Sequence, residues 1–185
     1  MMQLMFVSII FLAIIIMLSL AISVGSYLLM SFGLMGLLKG INDKTPALAF
    51  VPYLNTYYLG RIGSKDPNKV SSLGIALVCL QVAVCFVSFF SGMLSGMFPQ
   101  LFDVLSSDSV VVIIFVVITM LISLAYLVVF HITYSRIFMK YSKNGVLYTV
   151  LNILICGGIL GNVFLFTLRN NRPIDEIKNS VVEQN

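Results

Sequence analysis

The residues that could carry out acid–base or metal chemistry are few, and they lie outside the apolar stretches of this chain. All seven carboxylates fall in polar segments: Asp43, Asp66, Asp103, Asp108, Asp175, Glu176 and Glu183. This placement disfavours a proton relay or cation site built on acids inside a membrane. No nucleophile elbow, HExxH motif, glycine-rich phosphate loop or metal-ligand spacing occurs. We therefore expect a non-enzymatic protein with no catalytic residue, no cofactor and no metal.

Polar side chains within or beside the apolar segments are the remaining candidates. His131 is the single histidine, and it could be a pH-sensitive or ligand-contacting group near the membrane interface. The alternative is a structural histidine that bonds a backbone carbonyl or the region of Tyr134. Asn55, Asn152 and Asn162 could line a polar cavity, or they could cap broken helices.

Composition sets the class of protein. The chain has 185 residues, of which 59% are hydrophobic and 10% charged, and its mean hydropathy is +1.05. A soluble domain of this size needs more charge to cover its surface, so the sequence predicts a protein embedded in a lipid bilayer. The formal net charge of +4 is spread over short polar segments. That distribution suits anionic lipid headgroups and argues against nucleic-acid binding.

The apolar segments predict an all-α, polytopic membrane fold. They cover residues 1–38, 73–98, 109–139 and 145–168. The first and third would form helices of about 57 and 46 Å, well beyond a hydrocarbon core of about 30 Å. Segment 145–168 contains Gly157 and Gly158, and it either spans the membrane or turns back as two half-helices. Residues 1–168 form one membrane domain in this interpretation, and 169–185 form a polar tail.

A shorter apolar run, residues 46–60, follows the first segment. As a helix it would reach only about 22 Å, too short to cross the hydrocarbon core. Pro52 removes a backbone donor in its middle, so we expect a re-entrant or interfacial element. Asn55 is expected to be held against protein and to bond a carbonyl released near Pro52. Lys44 and Arg61 should then lie on the same side of the membrane.

Two sequence patterns relate one part of the chain to another. A weak internal duplication matches residues 26–67 with 125–173, with Asn55 opposite Asn162. Gly92 and Gly96, preceded by Ser88, form a GxxxG pattern that is typical of close helix packing. We expect the partner to be internal, with a second copy as the alternative. Gly33 and Gly36 suggest close packing of the first helix as well.

The distribution of basic residues predicts the topology. Residues 99–108 contain no Lys or Arg, whereas 39–69 and 136–143 are rich in them. The positive-inside bias therefore places 99–108 outside and 140–144 in the cytoplasm. The side of the C-terminal tail depends on whether 145–168 turns back.

The stretch from Lys39 to Arg61 resembles an uncharacterised family of small bacterial multi-pass membrane proteins with a Pro-aromatic-x-Asn motif. The matching residues are Lys44, Pro52, Tyr53, Asn55, Tyr57 and Tyr58. The resemblance covers about 40–60 residues. The chain departs from the pattern because it lacks the Gly-Trp that usually precedes the motif; it contains no Trp. The resemblance implies a bacterial inner-membrane location.

Two functional hypotheses follow. The first is an accessory, scaffold or immunity-type subunit that packs its helices against another membrane protein or a second copy. The second is a small transporter or channel component that uses half-helices around Pro52 and around Gly157–Gly158. The second hypothesis requires Asn55 to share one cavity with Asn152 or Asn162.

Overall fold

The computed structural model describes residues 2–66, 69–97, 110–156 and 158–174. This part of the chain is helical and contains no strand, so the predicted all-α fold is confirmed. The α-helices are α1 Met2–Gly40, α2 Leu54–Ile62, α3 Ser72–Met97, α4 Val110–Tyr141, α5 Gly145–Leu151 and α6 Ile159–Leu168. A 3-10 turn covers Pro46–Phe50 and a π-helical turn covers Asn152–Cys156.

Three of the described helices are long and apolar enough to cross a membrane. The qualifying stretches are Ser8–Gly40, Ser72–Phe90 and Ile114–Tyr141, with mean hydropathies of 2.7, 2.5 and 2.5. They correspond to three of the predicted apolar segments, and helices α1, α3 and α4 end within about two residues of the predicted limits. The fourth predicted segment is not one continuous helix.

Residues Gly145–Leu168 form what we call the C-terminal hairpin. Helix α5 and the π-helical turn lead away from α4, the chain reverses near Gly158, and α6 returns. Gly158 has a φ of +142°, which favours glycine because it has no Cβ. Tyr148 and Phe164 stack across the hairpin with ring centroids 4.4 Å apart. Beyond its end, the Asn171 amide donates to the Tyr141 carbonyl at 3.1 Å. The segment therefore turns back.

Residues Pro46–Ile62 form the N-terminal hairpin. Its outgoing arm is the 3-10 turn, the chain reverses at Pro52–Tyr53, and α2 is the returning arm. Its two ends meet, because Arg61 forms an ion pair with Asp43 at 2.7 Å. Its tip contacts α1, where the Tyr27 hydroxyl donates to the Phe50 carbonyl. The ends therefore have the arrangement that the prediction for Lys44 and Arg61 requires.

Both hairpins begin and end at one end of the long helices, which we call the basic end. There the Lys140 ammonium donates to the Ser64 carbonyl at 3.5 Å and links α4 to the N-terminal hairpin. A Cβ on Gly36 would lie 2.5 Å from the Cβ of Arg169. The end of α6 is thus held against α1 close to Lys39.

Burial is concentrated in the half of the molecule that includes the hairpins. The fully buried large side chains include Leu34, Leu37, Leu38, Leu59, Ile62, Leu77, Tyr134, Ile137, Phe138 and Leu165. A Cβ on Gly33 would lie only 2.8 Å from the Leu165 carbonyl carbon, so the expected close packing of α1 at Gly33 and Gly36 is confirmed. By contrast, every residue from 8 to 24 in α1 is exposed. The hairpins, rather than the long helices alone, build the core.

Candidate functional site

The polar side chains of the described chain gather at the two hairpins. In the C-terminal hairpin, Asn162 is 8% exposed and links three helices. Its Oδ1 accepts a hydrogen bond from the Tyr134 hydroxyl of α4. Its Nδ2 donates to the Ser26 hydroxyl of α1 at 2.7 Å. An amide with both ends paired can lie buried, whereas an unpaired one would cost on the order of several kcal/mol in hydrocarbon.

Asn152 and His131 form a second polar contact beside the first. The Asn152 side-chain amide nitrogen lies 3.4 Å from Nδ1 of His131. In this orientation His131 is the acceptor, because an amide NH₂ can only donate. The expected partner of His131, a backbone carbonyl or the region of Tyr134, is therefore replaced by an asparagine. Asn152 is 1% exposed, and its Oδ1 has no hydrogen-bond partner among the described residues.

A cavity of about 390 Å³ opens between α1, α4 and the start of α6. It is lined by Ser26, Ser123, Tyr126, Leu127, Phe130, Gly158, Ile159 and Asn162. The first amide groups of α6 have no partners within the helix and carry the positive end of its dipole. Hydroxyls, one amide and a helix N-terminus therefore meet in an otherwise apolar wall, which suits a small polar group.

The N-terminal hairpin has a different polar cluster, at its open end. The Asp43 side chain is 5% exposed and pairs with the Arg61 guanidinium at 2.7 Å. Its other oxygen accepts from the Thr45 amide at 2.8 Å and from the Thr45 hydroxyl at 3.2 Å. The Thr45 and Tyr58 hydroxyls also lie 3.2 Å apart. This cluster closes the hairpin where it meets the basic end.

The charge of Asp43 is stabilised by this environment. Burial opposes ionisation, but the hydrogen bond from the Thr45 amide and the charge of Arg61 outweigh it. The pKa of Asp43 therefore lies below its usual value of 3.8. The carboxylate and the guanidinium hold the ends of the hairpin together at neutral pH.

Asn55 is buried against protein, as expected, with 5% of its surface exposed. The prediction that its side chain bonds a carbonyl released near Pro52 is wrong, however. The Val51 carbonyl next to Pro52 accepts from the Asn55 backbone amide at 3.1 Å, and the Asn55 side chain accepts from the Thr56 hydroxyl at 3.2 Å. The Val51 carbonyl is paired with a backbone amide of α2, so it does not need the Asn55 side chain as a donor.

The other predicted residues of the N-terminal hairpin have structural roles. Pro52 is exposed at the tip. Tyr57 packs on α3, because a Cβ on Gly74 would lie 2.6 Å from the Tyr57 carbonyl oxygen. Asn55 does not line the cavity that contains Asn162. The structure therefore separates these residues from Asn152 and Asn162 and does not gather them into one site.

The described residues show one half of the GxxxG pattern of α3, at Gly92. A Cβ built on Gly92 meets no atom within 4 Å, so this face of α3 leaves space beside the backbone within the described chain. The surroundings of Gly96 lie outside the described residues, as does Gly157 altogether. The expectation that the Gly92–Gly96 pattern packs internally therefore stays a prediction.

Sequence reasoning missed Ser26, Tyr134 and the Asp43–Arg61 pair. Ser26 lies 136 residues from Asn162 along the chain, and no local pattern marks such a contact. Asp43 and Arg61 carried a usable signal, because opposite charges flank a short segment that cannot cross a bilayer. Among the described residues, no group of three or more His, Cys, Asp or Glu side chains is arranged to hold a metal ion.

The fold and the polar hairpins define an all-α, polytopic membrane protein. No family model matches the chain, and no curated protein or solved structure matches it. The function therefore has to be argued from the geometry alone.

Proposed function

We propose that this chain is a non-enzymatic accessory or scaffold subunit of the bacterial plasma membrane that packs against another membrane protein or a second copy. The observation that carries the proposal is the contrast within α1. Its C-terminal part contains buried residues such as Leu34, Leu37 and Leu38 and packs against both hairpins, whereas all residues from 8 to 24 are exposed. A helix of spanning length with one half uncovered on every side offers a surface for a helix from outside the chain.

The exposed half of α1 also carries small residues at the spacing that close packing needs. Ser19 and Ser23 are four residues apart and share one face of the helix. Their hydroxyls are satisfied within the helix, by the Ile16 and Ser19 carbonyls at 2.9 and 2.8 Å. A second helix can therefore approach this face without leaving a donor unpaired in lipid.

Disulfide cross-linking in native membranes tests this proposal. In a background without Cys79, Cys85 and Cys156, cysteines at Ser19 and Ser23 should form adducts to a partner or to a second copy. A cysteine at Ala21, on the opposite face, should not. No cross-linking at any of the three positions would show that lipid covers this helix, and equal cross-linking at all three would show that the Ser19–Ser23 face is not the docking surface.

We further propose that both hairpins are re-entrant and enter from the cytoplasmic face. The support is that the ends of both hairpins lie at the basic end, which the positive-inside bias assigns to the cytoplasm. Cysteines at Lys44 and Lys143 should then react with an impermeant thiol reagent only in inverted vesicles. A cysteine at Ser106 should react in intact cells. If Lys44 and Lys143 react from opposite sides, the N-terminal hairpin does not turn back in the membrane.

A solute-binding or transport component is the second candidate, and the cavity at the C-terminal hairpin favours it. Two observations weaken it: the cavity does not include Asn55, and both hairpins start from the same end of the molecule. Labelling of Ser123→Cys with a small charged thiol reagent tests whether water reaches the cavity. Leu124→Cys is the control, because Leu124 is 53% exposed on the same helix and does not line the cavity. Equal reactivity at both positions would remove this candidate.

A further inference from the structure

A groove of about 750 Å³ runs along the outside of α1 where α6 packs against it. It is lined by Gly25, Leu28, Leu29, Phe32, Met35, Gly36, Lys39, Phe166, Arg169 and Asn170. Its wall is apolar over most of its length, and its two charged side chains are both basic. The groove is therefore amphipathic along its axis, with the charge at one end only.

Lys39 and Arg169 lie close together because Gly36 lets the end of α6 approach α1. Gly36 has no side chain, so the backbone of Arg169 reaches α1, where a Cβ would lie 2.6 Å from the Arg169 carbonyl oxygen. Lys39 is one helical turn further along α1 and is exposed. The Arg169 guanidinium carbon sits 3.8 Å from the centre of the Phe166 ring. That stacking orients the guanidinium and leaves its N–H edge available to an anion.

Neither charge is neutralised by an ion pair with another described residue. Asp43, the nearest acid along the chain to Lys39, is already held by Arg61 and Thr45. Two cations without a carboxylate partner among the described residues lie at the mouth of an apolar groove, and this arrangement favours the binding of an anion.

The length of the groove decides which kind of anion fits. From Gly25 to Lys39 the helix rises about 21 Å. One leaflet of a bilayer contributes about 15 Å of hydrocarbon, with the headgroup layer beyond it. An acyl chain lying along Leu28, Phe32 and Met35 would therefore bring its phosphate to the level of Lys39 and Arg169. A free phosphate would use the basic end and leave the apolar wall uncovered.

We propose that this groove is a binding site for an anionic phospholipid, with one acyl chain along α1 and the phosphate between Lys39 and Arg169. The bilayer supplies such lipids at high local concentration in the cytoplasmic leaflet. Lys and Arg near a membrane surface each contribute about 1 kcal/mol to binding of anionic lipid. One or both side chains should thus give a roughly five- to thirtyfold preference over a zwitterionic lipid.

The absence of tryptophan from the chain allows a direct test. Leu28→Trp places a single fluorophore in the groove, and Leu124→Trp places one on an exposed position of α4 outside it. The purified variants are reconstituted in vesicles of phosphatidylcholine and phosphatidylglycerol, with bromine on the acyl chains of one lipid at a time. Brominated phosphatidylglycerol should quench Leu28→Trp preferentially, and Leu124→Trp should show no preference.

The charge variants make the test specific. Adding Lys39→Gln, or Lys39→Gln with Arg169→Gln, to Leu28→Trp should abolish most of the preference. Lys44→Gln, which removes an exposed charge outside the groove, should leave it intact. Lys39 is exposed, so its single variant tests the site even if the double variant fails to fold.

Three results would overturn the proposal. Equal quenching of Leu28→Trp by both brominated lipids would show that the groove does not select the headgroup. A preference that survives in Lys39→Gln and in the double variant would place the selectivity elsewhere. Loss of the preference on adding millimolar inorganic phosphate would identify the basic end as a soluble-anion site.

Discussion

The N-terminal and C-terminal hairpins each come directly after a long helix, but different interactions hold them together. Each follows a long helix that ends in basic residues, and each returns to the basic end. The N-terminal hairpin is closed by an ion pair and hydroxyls at its open end. The C-terminal hairpin is closed by an aromatic stack and by a buried asparagine near its tip. The main polar contacts thus lie at the open end of the N-terminal hairpin and near the tip of the C-terminal hairpin.

This difference has consequences for function. The polar cluster of the N-terminal hairpin joins the two ends of that hairpin, so its role is structural. In the C-terminal hairpin, Asn162 and the start of α6 lie beside a cavity, and the buried Oδ1 of Asn152 has no hydrogen-bond partner among the described residues. The cavity at the start of α6 has Ser26, Ser123 and Asn162 in its wall. The predicted duplication of 26–67 and 125–173 stays a prediction, although the shared order of elements agrees with it.

The largest effect is expected where the C-terminal hairpin touches α1. Gly33→Leu forces a side chain into the Leu165 backbone, 2.8 Å from a Cβ, and should destabilise the protein by roughly 3 kcal/mol or more. Gly25→Leu is the matched control, because a Cβ there meets nothing within 4 Å. Thermal unfolding in detergent measures both. Equal melting temperatures would mean that the hairpin is not docked on α1 in this way.

A smaller loss of stability is expected for substitution of Asn162, and a still smaller one for Asn55, the residue opposite it in the predicted duplication. Asn162→Leu leaves the buried Tyr134 hydroxyl and the half-buried Ser26 hydroxyl without their partner and should cost about 2 kcal/mol. Asn55→Leu removes a bond only to the neighbouring Thr56 hydroxyl and should cost about 1 kcal/mol or less. Urea titration of the detergent-solubilised variants compares them. A larger loss for Asn55→Leu would reverse the assignment of the buried polar role.

The tips of the hairpins should differ in their tolerance of side chains. Gly158 has a φ of +142° and Tyr53 a φ of +66°. Gly158→Ala should destabilise by roughly 1–2 kcal/mol because it adds a Cβ in a left-handed conformation. Tyr53→Gly relieves that strain but loosens the unfolded chain, so the net change should stay within about 0.5 kcal/mol. Melting temperatures of the two variants provide the measurement, and equal losses would contradict the difference.

A small effect that depends on pH is expected at the Asp43–Arg61 pair. Because the folded-state pKa of Asp43 is lowered below 3.8, the pair contributes its full stability above that pH. The contribution, about 1 kcal/mol, is lost as the pH falls from 3.8 through the folded-state pKa. Melting temperatures of wild type and Asp43→Asn should therefore differ at pH 7 and converge at low pH. A gap that is constant with pH would show that the charge is not responsible.

The sequence by itself determined the class of protein and the points where helices break. Unbroken apolar runs of spanning length predict α1, α3 and α4, because a bilayer demands continuous backbone hydrogen bonding. Pro52 and the glycine pair at 157–158 mark the interruptions, since proline lacks a donor and Gly158 adopts a left-handed conformation. These are local properties of the chain, so local patterns reveal them.

Only the tertiary structure decided what the interrupted segments do. Residues 145–168 have the length to span and nevertheless turn back, because Tyr148 stacks on Phe164 and Gly33 admits α6 against α1. The partners of Asn162 are Ser26 and Tyr134, which lie far away in sequence. Such long-range pairings are stabilised by contacts between segments that are distant in the sequence. No segment of the sequence carries that information alone.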